Sequence, residues 1–457
     1  MKIKVTAVFD IGKTNKKFFL FDESFREIHR EYIRFDEIED EDGYPTENLE
    51  ALKNWAVAIF DKMLDSKEYE IQALNFSCYG ASLVHIDENG KPLTHLYNYL
   101  KPLKDGVLDS FYETHGTETQ ISKVTGSPKL GMLNAGIQLY WLKLAQAEVF
   151  EKIQYSLHLP QYLSYLFTGI PVSEYTSIGC HTMLWNFEQK DYHDWVYKEG
   201  IDKKLPPIQS SCKTTLVNYK GHQINIGSGI HDSSSALVPY NRSITKPFLL
   251  VSTGTWSISI NPFNEGMLSL NDIENRSLFN MRVDGSAVKV SRLFLGNEYK
   301  VQVKVLSDYY NVPYDCHKKV KFDQDIFLEI NRNFTHMFKW FTMYSEHMPN
   351  KTTISYDSYE YAYHQLLLEL VLLQEKSIKA AIGKSKIKKL YIDGGFSDNE
   401  VYIQMLSQSM NKMKLRTANS SLGSALGAAI VISDKMLEPK FLKNNYAVKK
   451  HVPLNLK

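Results

Sequence analysis

The stretch that decides the fold is residues 5–21, which read VTAVFDIGKTNKKFFLF. The apolar run 5–9 predicts a strand, and the apolar run 18–21 predicts a second strand that returns after the tight turn 10–15. A Gly/Thr turn between strands points backbone N–H groups and hydroxyls into one concavity, which suits an anion such as phosphate. One hairpin of this kind is weak support for a function, because most Gly/Thr turns are only turns.

The same design recurs past the midpoint of the chain. Residues 248–260 read FLLVSTGTWSISI, an apolar strand followed by a Ser-Thr-Gly-Thr turn and an alternating strand. Two such hairpins, each opening one half of the chain, predict a duplicated fold that holds a polyphosphate from both sides.

Composition sets the class of protein. At 457 residues the chain is too long for one ordinary core, and its length predicts about two to four domains. Apolar residues make up 43% and charged residues 23%, which are globular values. The 53 Lys and Arg residues nearly balance the 52 Asp and Glu residues, so no overall charge recruits nucleic acid or an anionic membrane.

Targeting signals and metal motifs are not apparent. The apolar runs are shorter than the roughly 20 residues that span a bilayer, and the N-terminus enters a strand without a signal-peptide core. The four cysteines are scattered, with no metal-binding or disulfide spacing. We therefore expect a soluble, cytoplasmic protein with no nucleic-acid or membrane partner.

The first half of the chain has an α/β pattern. An acidic surface stretch is predicted at residues 36–42, followed by a helix that Thr46 would cap. The apolar face of that helix comprises Leu49, Leu52, Ala56, Ile59, Phe60 and Met63. Residues 71–76 predict a strand, the Asn-Gly turn at 89–90 predicts a hairpin between 83–87 and 92–99, and residues 134–167 predict helix.

The second half repeats this plan more loosely. Residues 358–382 predict a long helix, with Asp357 and Glu360 placed like a capping box. A strand at 388–393 ends at a Gly-Gly pair, and helices are predicted at 399–410 and 422–432. Residues 261–352 give no clear assignment, and a polar segment at 240–246 predicts the boundary between the halves.

A lysine-rich run accompanies the end of the long helix. It comprises Lys376, Lys379, Lys384, Lys386, Lys388 and Lys389. The pattern favours a charged helix end and a solvated connection over a polyanion site.

The stretch richest in chemistry lies just before the predicted boundary. Residues 226–236 read IGSGIHDSSSA, and glycines there let the backbone pass close to a ligand. A carboxylate at Asp232 could accept the proton of a hydroxyl nucleophile, which is the base role in phosphoryl transfer. Alternatively, Asp232 caps the Ser/Ala helix that follows it. By themselves, these residues leave both interpretations open.

The order of four motifs resembles the FGGY family of carbohydrate kinases. The motifs are Asp-x-Gly-x-Thr-Asn at 10–15, Gly-x-His-Asp-Ser at 229–233, Ser-Thr-Gly-Thr-Trp at 252–256 and Asp-Gly-Gly-Phe-Ser-x-Asn at 393–399. The resemblance implies an α/β fold of two ribonuclease H-like, actin-type domains that close over ATP and a sugar. The expected limits are 1–245 for the N-terminal domain, 246–435 for the C-terminal domain and 436–457 for a C-terminal tail.

The resemblance also assigns roles to individual residues. Asp10 would help hold Mg²⁺ near the transferred phosphate, since Mg²⁺ prefers few carboxylates plus water and phosphate oxygens. Asp232 would be the catalytic base. The residues that would bind ATP are Gly12, Lys13, Thr14, Asn15 and Lys16 in the first turn, Thr253, Gly254 and Thr255 in the second turn, and Gly394, Gly395 and Asn399 at the adenosine site.

Each ATP-site interpretation has a plain structural alternative. Lys13 replaces the Thr more usual in the family and is either a γ-phosphate ligand or a solvated turn lysine. Of Lys16 and Lys17, one is expected to face the phosphates and the other the solvent. The second turn is open to being a plain hairpin, and the Gly-Gly pair a plain strand-to-helix turn.

The sugar is the least determined part of the resemblance. The residues that match the family's sugar-binding segments are Tyr79, Ser82, Tyr97, Asn98, His231 and Asp232, and a structural role is open for each of the first four. The His-Asp-Ser form of the base motif is similar to that of rhamnulose and fuculose kinases. The segments 78–82 and 97–101, however, depart from the family pattern, which leaves the sugar open.

The resemblance implies ATP-dependent phosphorylation of a hydroxyl of a small sugar, expected to be a ketose such as L-rhamnulose or L-fuculose. The alternatives are a kinase for xylulose, another pentulose or a polyol and, in another class, an actin-like ATPase or nucleotide-dependent sugar sensor without kinase activity. A homodimer is compatible with the resemblance, although the sequence shows no interface.

Overall fold

The computed structural model describes residues 2–264, 266–275, 277–343, 348–419, 422–438 and 440–454. The strands of the first half are β1 (Ile3–Ile11), β2 (Lys16–Asp22), β3 (Glu27–Ile33), β4 (Ile38–Glu39), β5 (Pro45–Thr46), β6 (Tyr69–Cys78), β7 (Leu83–Ile86), β8 (Tyr155–His158), β9 (Ser173–Glu174), β10 (Trp185–Asn186), β11 (Asp191–Tyr192), β12 (Ile208–Gln209), β13 (Thr214–Tyr219), β14 (His222–Gly227) and β15 (Ile230–His231). Those of the second half are β16 (Leu249–Thr253), β17 (Ser257–Asn261), β18 (Leu278–Met281), β19 (Ala287–Leu293), β20 (Lys389–Gly394), β21 (Lys414–Ala418) and β22 (Lys449–Lys450).

The helices connect and cover these strands. They are α1 (Leu49–Leu64), α2 (Val107–His115), α3 (Glu118–Thr125), α4 (Ala135–Ala145), α5 (Ala147–Lys152), α6 (Leu159–Thr168), α7 (Tyr175–Ile178), α8 (Asp194–Lys198), α9 (Asp232–Ser243), α10 (Leu270–Glu274), α11 (Leu295–Tyr309), α12 (Gln324–Arg332), α13 (Tyr359–Ile382), α14 (Glu400–Ser409), α15 (Gly423–Val431) and α16 (Phe441–Asn445).

Two mixed sheets, one in each half, organise the fold. The first has the order β13-β14-β6-β1-β2-β3, with β15 also paired to β6, and the second has the order β18-β19-β17-β16-β20-β21-β22. In each sheet a hairpin (β1–β2 or β16–β17) pairs antiparallel with a third strand on one side and parallel with a later strand on the other. The duplicated α/β fold predicted from the two hairpins is confirmed.

Strand β2 shows why the sequence forms a sheet buried on both faces. Its four successive apolar residues, 18–21, are all buried, as expected for a strand covered by helices on each side. Phe18 and Leu20 pack into the core formed with α1 and α6, whereas Phe19 and Phe21 pack into the core formed with α9 and α15. The continuous apolar run therefore follows from two-sided burial.

Helices α9 and α15 cross at the centre of the molecule. Helix α15 follows the second sheet in sequence, yet it packs on α9 and on β1 and β6 of the first sheet. Asn75 Nδ2, on β6, donates to the Ala428 carbonyl at 2.8 Å, and Ser235 Oγ, on α9, donates to the Ser424 carbonyl at 2.6 Å. A Cβ atom added at Gly427 would lie 1.8 Å from the Ser235 carbonyl oxygen. The two halves are thus joined by a helix crossing that only glycine permits.

The predicted cap of the first long helix is wrong. Asn48 caps α1, because its Oδ1 accepts a hydrogen bond from Ala51 N at 2.9 Å. Thr46 instead lies in β5, and its hydroxyl donates to the Leu96 carbonyl. The six apolar residues predicted for the inner face of this helix are all buried, so its register is confirmed.

Two further predictions for the first half need correction. Asp40 is not on an acidic surface: it is 6% exposed and pairs with Lys101 at 2.7 Å. Residues 134–167 are not wholly helical, since β8 lies between α5 and α6. The predicted turn at 89–90 forms, but β7 pairs with β8 rather than with a long strand at 92–99.

The second half also differs in detail from prediction. Helix α13 begins after Ser358, whose Oγ accepts from Tyr361 N, so the predicted capping box of Asp357 and Glu360 does not form the cap. The unassigned stretch 261–352 contains β18, β19 and α10 to α12. None of the described helices is both long enough and apolar enough to cross a membrane.

The limits predicted for the domains, 1–245, 246–435 and 436–457, stay predictions. Helix α9 extends to Ser243 with Pro239 inside it, so the first part of the segment 240–246 is helical. Within 436–457, α16 packs through Phe441 into the central core, and β22 extends the second sheet. Residues 439 and 455–457 of this predicted tail lie outside the described residues.

Substituting Gly427 with alanine tests the helix crossing. The added methyl would collide with the Ser235 carbonyl, and overpacking outweighs the roughly 1 kcal/mol that alanine gains in helix propensity. We expect Gly427→Ala to lower the free energy of unfolding, measured by urea denaturation, by about 2 kcal/mol or more. Gly395→Ala is the control, because its added Cβ meets its nearest neighbour only at 3.9 Å. Equal stability of Gly427→Ala and the parent protein would contradict the crossing.

Candidate active site

The candidate site lies where three neighbouring parallel strands end. The register aligns Asp10 of β1 with Ser77 of β6, and Ser77 with Ile230 of β15. Because parallel strands direct their carboxyl ends to the same edge, the side chains that follow them meet there. Asp232 begins α9 immediately after β15. The sheet therefore brings Asp10 and Asp232 to one edge.

Asp10 is a shielded carboxylate. Its side chain is 14% exposed, and Lys17 Nζ lies 3.7 Å from its Oδ2. Ser424 Oγ, at the start of α15, donates to Oδ1 at 2.7 Å. Burial raises the pKa of Asp10 above its usual value; the bond from Ser424 and the charge of Lys17 oppose this rise, and the charge of Asp232 adds to it. A cation bound beside these carboxylates would remove that electrostatic cost.

The side chain of Asp232 is partly exposed at the sheet edge. Its side chain is 36% exposed, and Oδ1 lies 3.3 Å from His231 Nε2. Oδ1 also accepts from Ser233 Oγ at 3.2 Å. The N-cap position of α9 belongs to His231, and no side chain caps this helix. The structure thus contradicts the interpretation of Asp232 as a helix cap and leaves its carboxylate available.

Buried imidazole and thiol groups surround Asp232. Cys180 Sγ lies 3.0 Å from His231 Nε2 and 3.4 Å from His181 Nε2. Burial lowers the pKa of His231, lowers that of His158 to about 4 and lowers that of His181 to about 3. Burial also raises the pKa of the Cys78 and Cys180 thiols well above their usual value. The imidazoles and thiols around Asp232 are therefore uncharged near neutral pH.

The second turn is built against the Gly-Gly turn of the predicted adenosine site. Thr253 pairs with Gly394 across β16 and β20, and its Oγ1 donates to the Asp393 carbonyl at 2.6 Å and accepts from Phe396 N at 3.0 Å. Gly394 has φ of +91°, and an added Cβ would lie 2.0 Å from the Thr253 carbonyl oxygen. The structure thus brings Thr253, Gly394 and Gly395 together, with the Thr253 hydroxyl bonded inside the protein.

The rest of the second turn is exposed. Gly254 and Thr255 lie on the surface, and Gly254 N donates to the Trp256 carbonyl at 2.8 Å. The start of α11 supports the turn, since Asn297 N donates to the Thr255 carbonyl at 3.1 Å. A Cβ added at Gly296 would lie 1.8 Å from the Gly254 carbonyl oxygen. A helix N-terminus therefore packs directly under this turn.

Arg292, on β19, lies near the second turn and near the residues beside Asp232. Its guanidinium carbon lies 5.5 Å from the centre of the Trp256 ring. Its positive charge also acts to lower the pKa values of Cys180 and His181, and Cys180 contacts the His231 ring. Arg292 therefore lies near both the second turn and the Cys180–His231 contact beside Asp232.

The first turn is held by bonds within the first half. Gly12 N donates to the Asn15 carbonyl at 2.9 Å, and Thr14 is exposed. Lys13 Nζ pairs with Glu37 at 2.8 Å and is 22% exposed. The turn therefore forms as predicted at 10–15, and in this structure Lys13 has a carboxylate partner outside it.

Lys16 and Lys17 occupy different environments. Lys16 is 2% exposed and its Nζ lies 2.6 Å and 2.8 Å from the two carboxylate oxygens of Glu47, which also accepts from the Tyr79 hydroxyl. Lys17 is 29% exposed and lies beside Asp10. The structure therefore pairs Lys16 with a buried carboxylate, and Lys17 is the lysine beside Asp10.

Asn399 is the N-cap of α14. Its Oδ1 accepts from Tyr402 N at 3.0 Å, and its Nδ2 donates to the Tyr363 hydroxyl at 2.9 Å. Both ends of the amide are thus bonded within the second half. The structure brings Asn399 close to Gly394 and Gly395 but gives its side chain a structural role.

Of the predicted sugar contacts, Tyr79, Ser82 and His231 lie together. They line a small cavity near Asp232 with His158 and the end of β6. Tyr97 and Asn98 do not reach it: the Tyr97 hydroxyl donates to Glu41, and Asn98 Nδ2 donates to the Pro45 carbonyl at 2.8 Å. These two side chains hold the segment 97–101 in place.

Tyr99, which the sequence did not single out, lies near Asp232. Burial raises the pKa of its hydroxyl, and the charge of Asp232 raises it further. The Tyr99 ring also packs 6.2 Å from that of Tyr79. Tyr97 is buried, whereas Tyr99 is partly exposed.

Family comparison agrees with this geometry. Residues 5–238 match the N-terminal domain of the FGGY family of carbohydrate kinases, and residues 245–440 match the carbohydrate kinase FGGY C-terminal domain. The chain belongs to the FGGY family. The fold class and the family predicted from the motif order are therefore confirmed.

The chain is also similar to individual kinases in sequence or in structure. Over 194 residues the chain is 28% identical to a rhamnulokinase of Halalkalibacterium halodurans, a match that spans 41% of each protein. The matched stretch is thus less than half the length of that relative. A carbohydrate kinase from Novosphingobium aromaticivorans has a similar structure, with a TM-score of 0.81, 19% identity and coverage of 100% of this chain and 95% of that one. The Plasmodium falciparum glycerol kinase with ADP gives a TM-score of 0.75 at 16% identity, covering 98% and 94% of the two chains.

For an FGGY protein, the donor groups at the sheet edge suit Mg²⁺ with a nucleotide. No group of three or more His, Cys, Asp or Glu side chains able to hold a metal occurs among the described residues. Mg²⁺ does not require one, because it takes one or two carboxylates and fills its remaining positions with water and phosphate oxygens. The raised pKa of Asp10 beside Asp232 and the exposed turn at Gly254 fit such a ligand.

Site residues missed from the sequence come from both halves. Ser424 bonds Asp10 from the start of α15, and Arg292 lies in the stretch 261–352 that the sequence left unassigned. Neither belongs to a recognisable local motif, because each reaches the cleft only through packing of one half on the other. Lys17, which the sequence offered beside Lys16 as the lysine facing the phosphates, lies directly across the hairpin from Asp10.

Removing Lys16 tests whether this lysine is structural. Lys16→Met would leave Glu47 buried without its cation, and we expect the free energy of unfolding to fall by about 3–5 kcal/mol. The double variant Lys16→Met/Glu47→Leu should recover most of the loss, because it removes both buried charges. Lys13→Met is the matched control, since a surface pair contributes about 0–1 kcal/mol. Denaturant unfolding of the four proteins gives the comparison, and an unchanged stability of Lys16→Met would contradict the assignment.

The buried histidines predict a pH dependence of stability. An unfolded imidazole binds its proton near pH 6.5, whereas folded His158 does so only near pH 4. The contribution of neutral His158 to the free energy of unfolding is therefore fully present above pH 6.5 and is lost as the pH decreases towards 4. We expect His158→Gln to flatten the dependence of the melting temperature on pH over this window, and the exposed-residue control His222→Gln to leave it unchanged. Parallel curves for His158→Gln and the parent protein would refute the burial argument.

Proposed function

We propose that the protein is an ATP-dependent sugar kinase in which Asp232 is the general base. The observation that carries the proposal is the position of Asp232 at the sheet edge next to Asp10, with 36% of its side chain exposed and without a capping role. A sugar hydroxyl bound beside Asp232 would give its proton to this carboxylate as its oxygen attacks the terminal phosphorus. The bond from that phosphorus to the bridging oxygen breaks, and ADP leaves.

The remaining residues of the cleft would position and neutralise charge. We propose that the backbone of the first turn, 12–15, and of the second turn at Thr253, Gly254 and Thr255 cradles the phosphates, and that Gly394 and Gly395 admit the nucleoside. Bound Mg²⁺ supplies neutralisation of the phosphoryl charge, and Asp10 would hold it. Arg292 and Lys17 would add fixed positive charge at the same cleft. Positioning and electrostatic stabilisation of this kind supply most of the catalysis of phosphoryl transfer.

Two predicted ATP ligands take other roles in this proposal. Lys16 keeps the first hairpin in place through Glu47, and Asn399 begins α14 while orienting Tyr363. Lys13 would reach the γ-phosphate only after it exchanges Glu37 for the ligand, which a surface pair permits at low cost.

For the substrate, we propose a 6-deoxy-ketohexose such as L-rhamnulose or L-fuculose. Support comes from the rhamnulokinase relative, 28% identical over its matched stretch, and from the His231-Asp232-Ser233 form of the base motif. Tyr79, Ser82 and His231 would contact the sugar, and Tyr99 is a further contact on this side of Asp232. Tyr97 and Asn98 would support that wall from behind. The assay below also distinguishes the three alternatives, which are a pentulose kinase, a polyol kinase and a sensor without kinase activity.

An ADP-release assay with Asp232→Asn tests this proposal. With Mg·ATP and a panel of L-rhamnulose, L-fuculose, D-xylulose and glycerol, we expect one deoxy-ketose to stimulate ADP release most. Asp232→Asn should lower kcat about 10²- to 10⁴-fold, the usual value of a positioned base, while ATP binding measured by calorimetry stays unchanged. Asp105→Asn, which removes an exposed carboxylate, is the control for charge.

Two outcomes would count against the proposal. If ATP binds but no sugar on the panel stimulates turnover, the protein acts as a sensor. If Asp232→Asn turns over at the parent rate, another group is the base. Strongest stimulation by D-xylulose or glycerol would keep the kinase and overturn the deoxy-ketose.

A further inference from the structure

A second concave site lies at the opposite edge of the C-terminal sheet. Its volume is about 430 Å³, and its lining includes Lys389, Arg416, Lys440, Lys443, Lys450 and Tyr391 together with the connection 243–245. Lys389 is the first residue of β20, and Gly394 is its last. At about 3.3 Å per residue, the two positions are roughly 17 Å apart. The second site is thus separate from the cleft that holds Asp10 and Asp232.

The charge of this site is uniform. Five of its lining residues are cationic, and none of the lining residues is a carboxylate. Within the described part of the chain, no ion pair is formed by Lys389, Arg416, Lys440, Lys443 or Lys450. Lys289, on β19 of the same sheet, by contrast pairs with Asp272 at 2.6 Å. An anion bound among these cations would meet no lining carboxylate, which favours its binding electrostatically.

Arg416 provides a second, independent observation. Its Nη1 atom is shielded from solvent and has no hydrogen-bond partner among the described residues. The guanidinium carbon lies 5.7 Å from the centre of the Tyr391 ring, which holds it against one wall. A buried guanidinium N–H without an acceptor is costly, because its water has been removed and not replaced. A ligand oxygen at this position would supply the missing bond.

Lys389 lies near other cations, one of which, Arg416, also lines the site. Burial lowers the pKa of its ammonium group, and the charges of Arg416, Lys246 and Lys414 lower it further. The sequence pattern had favoured a solvated lysine run that includes Lys389. The structure separates this residue from the exposed Lys384 and Lys386 of the same run.

The helix dipole does not account for the cluster. Helix α9 ends at Ser243 beside the site, and the C-terminus of a helix carries the equivalent of about half a negative charge. This is an order of magnitude less than the five positive charges it would have to balance. The helix dipole therefore leaves most of the positive charge of the site unbalanced.

We propose that this concave surface is a binding site for a small organic or inorganic anion with at least two phosphate groups. Its volume is that of a small-molecule site, and Arg416 and Lys389 are partly buried at its walls, where a long polyanion lying on the surface would reach them poorly. Lys440, Lys443 and Lys450 are exposed at its rim and would close around the second phosphate. The proposal is independent of the kinase reaction, because it concerns binding at a different edge of the sheet.

Calorimetric titration with inorganic pyrophosphate tests the site. The full chain is titrated without magnesium, and the variants of the lining residues below distinguish this site from the active-site cleft. We expect one saturable site whose affinity falls with added KCl. Arg416→Gln/Lys389→Gln should weaken binding about tenfold or more, the effect of lost charge-assisted hydrogen bonds.

A second pair of variants guards against misfolding of the first. Lys440→Gln/Lys443→Gln changes only exposed residues and should also weaken pyrophosphate binding. Lys384→Gln/Lys386→Gln removes the same charge outside the site and should bind like the parent protein. Binding that is unaltered in both site variants, or equally weakened in the control, would overturn the proposal. So would the absence of saturable pyrophosphate binding while heparin binds, since that result describes a general polyanion surface.

Discussion

The crossing of α9 and α15 is the constraint on which the site depends. Each helix begins at the cleft: α9 with Asp232, and α15 one residue before Ser424, which bonds Asp10. The approach of the helices at Gly427 fixes the distance between these two starting points. Two helix N-termini also bring about half a positive charge each to the same place, which favours an anionic ligand there. A packing contact about one helical turn from Asp232 and Ser424 thus fixes how the two helix starts face one another.

The two halves share a strand plan but hold their turns differently. The first turn depends on a buried ion pair, Lys16 with Glu47, located entirely in its own half. The second turn depends on backbone contacts, with Gly296 and Gly394 letting neighbouring segments approach its carbonyl groups. A buried ion pair fixes orientation at a cost in desolvation, whereas glycine packing leaves N–H groups and carbonyls free of side chains. The second turn is therefore the more exposed surface for a ligand, and the first is the more rigid one.

Local patterns predicted the parts of the fold that are local. The hairpins, the apolar face of α1 and the strand before Gly394 follow from spacing and turn chemistry. The predictions failed where tertiary packing decides. Asp40 reads as surface until Lys101, 61 residues later, is brought beside it, and β8 reads as helix until β7 pairs with it. The same limit applies to the site: Asp10 and Asp232 were recognisable from their motifs, whereas Ser424 and Arg292 enter the cleft only because one half packs on the other.

The electrostatics around Asp232 narrow the choice of proton acceptor. His158 and His181, with pKa values of about 4 and 3, are too weakly basic to hold a proton at neutral pH, and burial lowers the pKa of His231 as well. The hydroxyls of Tyr79 and Tyr99 and the thiol of Cys180 have raised pKa values and stay protonated. Burial thus leaves none of these side chains ready to accept a proton. It also removes water that would compete with a sugar hydroxyl in the proposed reaction. In the proposed reaction, the partly exposed carboxylate of Asp232 would therefore accept the proton.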